Sequence, residues 1–136
     1  MLNVFPSLLT YTFFAPTLLR LGVALILLWS AWQALRHRHR RAALPFHIFE
    51  NAPWIPYVAA LAEAALAAMF IAGWYTQIAA LLGIAGALKY AIYRRWWPSA
   101  LEVYFPISPG AAFLMFVICL SLLISGAGAV AFDLPL

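Results

Sequence analysis

Of the four carboxylates in the 136 residues, Glu63 alone lies inside a long apolar run, LAEAALAAMF. Glu50 and Glu102 fall in more polar connecting segments, and Asp133 lies near the C-terminus. An acid surrounded by alanine and leucine is expensive to keep charged. Three roles would justify it: a structural clasp to a base on a neighbouring segment, a site that binds a ligand or handles protons, or a protonated group facing lipid. Lys89 is the base best placed to answer it, also within an apolar run. Arg20 and Asp133 form a second candidate pair near the chain ends, competing with a reading in which each reaches water independently.

The remaining polar motifs imply less chemistry. Arg36, His37, Arg38, His39, Arg40 and Arg41 form a basic run, RHRHRR. Arginine on either side of each histidine repels a cation, so the run reads as a positive-inside signal and a contact for anionic lipid headgroups, joined by Arg94 and Arg95. Nothing resembling a nucleic-acid readout domain accompanies it. His47 and Glu50 in HIFE supply half of a carboxylate-bridged di-iron motif, and the other half is absent. Cys119 is the only cysteine, which excludes an internal disulfide and dithiol redox chemistry. No metal set, phosphate-cradling glycine loop or nucleophile elbow stands out, so no catalytic residue is assigned.

The elements that must position Glu63 follow from composition. The chain is 67% hydrophobic and 9% charged, and its mean hydropathy is +0.95. Twelve charged side chains cannot cover a water-soluble domain of this length, so the expected class is integral membrane. Four stretches, about 16–35, 53–74, 76–93 and 109–132, approach the roughly 20 residues that cross a bilayer. They predict a single all-α four-helix bundle over residues 1–136, with basic loops at 36–52 and 94–108. The first residues carry no basic segment of a signal-peptide kind. Because both basic loops should face the cytoplasm, both termini are expected on the outer side of a prokaryotic inner membrane.

The turn between the second and third stretches is so short that they should be antiparallel neighbours. A turn centred near Tyr75 sets Glu63 level with Ala87 and leaves Lys89 about 3 Å of axial rise away, within reach of its side chain. Small residues such as Gly22, Ala24, Ala64, Ala68, Gly83, Gly86 and Ala87 read as helix–helix contacts.

Several short segments, taken in order, resemble the DoxX-like family of small membrane proteins. Leu19-Arg20-Leu21 is similar to the family's LLRL opening. Glu63, then Gly73, then Thr76 with Ala79-Ala80-Leu81, is similar to its glutamate followed by G-x-x-T-R-x-A-A-L. Ser125-Gly126-Ala127-Gly128 running on to Asp133 is similar to its closing G-x-G and aspartate. Gln77 stands where the family often has arginine, and Trp29-Ser30-Ala31 replaces a common glycine. The resemblance implies a multi-pass accessory or anchor subunit of a quinone-linked redox complex, with a protein partner or a homo-oligomer and a quinone as the ligand to consider near Glu63. The alternative is a small proton-coupled transporter, or a binder of a lipid-like ligand, that uses Glu63.

Overall fold

The computed structural model describes residues 14–36, 54–96, 107–126, 128 and 131. They form four helices: α1 (Ala15–Arg36), α2 (Ile55–Ala72), α3 (Thr76–Trp96) and α4 (Pro109–Ser125). α1 and α3 are each long and apolar enough to cross a membrane, whereas α2 and α4 are shorter apolar helices.

Local chemistry sets the ends of these helices. α2 stops at Gly73, whose left-handed φ of 67° glycine adopts without Cβ strain, and the Gly73 and Trp74 N–H groups both donate to the Met69 carbonyl, at 2.9 and 3.1 Å. Tyr75 is also left-handed, with φ 48°, and its carbonyl accepts from Ala79 N–H at 2.9 Å to begin α3. Two left-handed residues within three positions reverse the chain. α4 opens on extended Ser108, whose hydroxyl accepts from Ala111 N–H at 3.2 Å, with a proline in the first turn where a missing N–H costs little.

Two boundaries differ from those the sequence suggests. α3 runs on to Trp96, carrying Arg94 and Arg95 onto its last helical turn, where positive charge complements the helix dipole. α4 ends at Ser125 rather than near 132. Gly126 turns to φ 76°, its N–H closing on Leu122 O at 2.9 Å, and Gly128 is again left-handed, so a helix cannot continue.

Packing is most extensive between α1 and α2 and next between α3 and α4. α1 meets α4 less broadly, and α2 meets α3 less broadly again, although a short turn joins them. The interior is made of small side chains: Ala24, Ala31, Ala34, Ala60, Ala67, Ala79, Ala80, Ala87 and Ala112 are all buried. Val23, Leu27, Phe70, Met115, Cys119 and Leu122 fill the space among them. Large side chains point outward on every helix, with Leu18, Leu25, Leu61 and Phe113 each about 70% exposed, at 68%, 68%, 72% and 69%.

Candidate functional site

Polar groups gather at two depths. The first is the end where α2 turns into α3. Arg20, from the second turn of α1, is only 1% exposed and is the largest fully buried side chain among the described residues. Its guanidinium lies directly against Gly73, where a Cβ would collide with Nη1. Ala131 closes the other side, 2.8 Å from the same Cβ position. Thr76, 1% exposed, starts α3 at this end. The glycine therefore does two jobs, taking a left-handed turn and leaving room for a guanidinium. Asp133, the expected partner of Arg20, lies outside the described residues, two positions beyond Ala131.

The second depth is the middle of the α1–α2 seam. Arg20 lies beside Gly73, and Ala31 and Ala34 pack with Ala60 and Ala64, so the two helices run antiparallel. That register sets half-buried Glu63 level with Ser30. Ser30 is 1% exposed, and its hydroxyl has no hydrogen-bond partner among the described residues; one turn on, the Gln33 side-chain oxygen is likewise enclosed and unpartnered there. The Glu63 Oε2 atom is also shielded from solvent. Three oxygens thus fall within about one helical turn of an otherwise alanine-rich seam. Residue type alone does not single out Ser30 or Gln33 as inward-facing polar groups. The available signal was helical spacing, since Ser30 continues the inward stripe of Val23, Leu27 and Ala34.

Lys89 sits on α3 with an exposed side chain, its Nζ 5.9 Å from the Tyr93 ring centroid. Between α2 and α3, Phe70 reaches to 3.7 Å from the Cβ position of Gly83. Arg36 is exposed at the end of α1, its guanidinium carbon 5.2 Å from the Trp32 ring centroid. Arg94 and Arg95 are exposed at the end of α3. Arg38, Arg40 and Arg41 lie outside the described residues, as do His37, His39, His47 and Glu50. Among the described residues no three of His, Cys, Asp and Glu gather as a metal centre would require.

Two open grooves flank the start of α4. One, of about 400 Å³, runs between α1 and α4 and is lined by Leu25, Ile26, Trp29, Ile107, Ser108 and Ala111. The other, of about 370 Å³, lies between α3 and α4. Neither is lined by Glu63. No family model, curated protein or solved structure matches this chain.

Proposed function

We propose that this chain is an integral membrane protein whose four helices all span the bilayer, acting as a DoxX-like accessory or anchor subunit of a membrane-associated redox complex. The observation that carries the membrane reading is the inverted size pattern: alanines occupy the seams while leucine, phenylalanine and tryptophan face outward. In water that arrangement exposes the costly surface. In lipid it is the economical one, because small residues let backbones approach and large apolar ones meet acyl chains. Four helices that are apolar all round fit the same solvent.

The subunit reading rests on analogy, and one geometric fact supports it. Arg20 and the Gly73–Thr76 turn, which carry part of the resemblance, are 53 positions apart in sequence yet lie at one end of the bundle with Ala131. In this reading both termini are outside, RHRHRR and the Arg94–Arg95 pair meet the inner leaflet, and a quinone or another lipid-like molecule would approach the level of Glu63. Partners would be a soluble or membrane-bound redox protein, or further copies of the chain.

A second reading is favoured by the shielded oxygens of Ser30, Gln33 and Glu63 within about one helical turn, a setting suited to proton-coupled transport. One experiment separates the two. Purification of the full chain from native membranes in mild detergent should bring down a redox enzyme, and Glu63→Gln should weaken that association several-fold. Retention of the chain alone, with Glu63→Gln abolishing proton-coupled substrate movement in vesicles, would overturn the subunit reading in favour of transport.

A further inference from the structure

The two grooves beside α4 differ in charge. Among the described residues, the α1–α4 groove is lined by none that is charged. The α3–α4 groove has aromatic and aliphatic walls, among them Leu88, Tyr90, Phe113 and Phe116, and among the described residues one charged side chain, Arg94. Its polarity runs along its length. Gly83 faces Cys119 and Gly86 faces Met115, so α3 and α4 are antiparallel. The same register brings Arg94 level with the first turn of α4 and leaves Phe116 toward the other end of the groove. At the Arg94 end the guanidinium is exposed, Arg95 follows it, and the positive end of the α4 dipole adds to the field. The only carboxylate among the described residues is Glu63 on α2, which does not line this groove.

From this charge asymmetry we infer that the α3–α4 groove is a discrete binding site for one anionic phospholipid. Its phosphate sits at Arg94 and the start of α4, and an acyl chain lies along Phe113, Phe116 and Leu88. Basic pockets between membrane helices on the cytoplasmic side select anionic headgroups in this way, and an arginine offers a phosphate a bidentate, charge-assisted contact. The apolar length of the groove distinguishes a lipid from free phosphate, which could use only the charged end. This inference rests on the membrane reading above and makes it specific: one leaflet, one groove, one headgroup charge.

The test uses the full-length chain exchanged into detergent micelles containing equimolar phosphatidylglycerol and phosphatidylcholine, with retained lipid counted by native mass spectrometry. The unaltered protein should keep phosphatidylglycerol over phosphatidylcholine by about fivefold, the effect of one basic residue near an anionic surface. Arg94→Gln should bring that ratio close to one. Leu25→Ala, in the α1–α4 groove, should leave it unchanged. Ala91→Trp fills the groove from its exposed side while keeping the arginine's charge, and should remove the retained lipid. Equal retention of both lipids by the unaltered protein, or a preference that survives either Arg94→Gln or Ala91→Trp, overturns the site. Release of the chain from membranes by alkaline carbonate would overturn the membrane reading as well; a chain that resists carbonate yet shows no preference defeats only the lipid site.

Discussion

The two ends of the bundle solve opposite problems. Where α2 turns into α3, Arg20 and Thr76 are buried to 1% exposure, and Gly73 and Ala131 close over the guanidinium. At the other end, α4 begins between two open grooves, and the nearby arginines of α3 remain exposed. The difference comes from what stands opposite each backbone. At the closed end a missing side chain is matched by a large one, glycine against arginine. At the open end Gly110 has nothing among the described residues within 4 Å of its would-be Cβ, so among them the small residues that begin α4 leave space unfilled. Small residues therefore seal a bundle only when a partner reaches into the room they leave.

The largest blow to that contrast is Gly73→Ala. It places a Cβ on a φ of 67°, against the Arg20 guanidinium and 2.8 Å from Ala131 Cα. Left-handed strain and overpacking together should cost about 2–4 kcal/mol in unfolding of the detergent-solubilised protein. Unchanged stability would mean that the closed end does not depend on this approach.

Gly83→Ala probes a tight contact further along, where the added Cβ would stand 2.6 Å from Cys119 Sγ. A loss of about 1–3 kcal/mol is expected. Adding Cys119→Ala should restore most of it, because the clash is with sulfur and the Cys119 Cβ is 3.7 Å away. Strictly additive losses in the double variant would show that the two sites do not meet.

The smallest effect belongs to the open end. Ser108→Ala removes the acceptor for Ala111 N–H and should cost about 0.5–1 kcal/mol. Hydrogen exchange should quicken in the first turn of α4 and stay unchanged around Gly73. Equal acceleration at both ends would show the bundle responding as one unit and erase the contrast.

Much of this frame can be read directly from residue types. Thr76 and Pro109 mark the starts of α3 and α4, and the all-apolar stretches mark four helices. The end of α4 was less legible: Ala127, Ala129, Val130 and Ala131 prolong an apolar run that reads as helix. Composition does not say that Gly126 and Gly128 take positive φ and break it. Of the candidate site residues, Glu63 stands out as an acid among alanines. Ser30 does not, since a hydroxyl is unremarkable until its face of the helix is known to be enclosed. The sequence also left open whether Arg20 reaches water on its own or is held within the bundle. Its burial depends on a glycine 53 positions away, which no local pattern reports.

What the chain determined by itself is therefore one-dimensional: helix number, apolar character, and which residues carry charge. These follow from propensity, periodicity and transfer cost, all local. Tertiary structure decided which helices share the broadest seams, and so set α2 chiefly against α1 instead of its turn-mate α3. It likewise decided that Arg20 is enclosed while Arg94 is open. Those outcomes depend on the shapes that meet across each seam, and shape complementarity exists only once the helices are assembled.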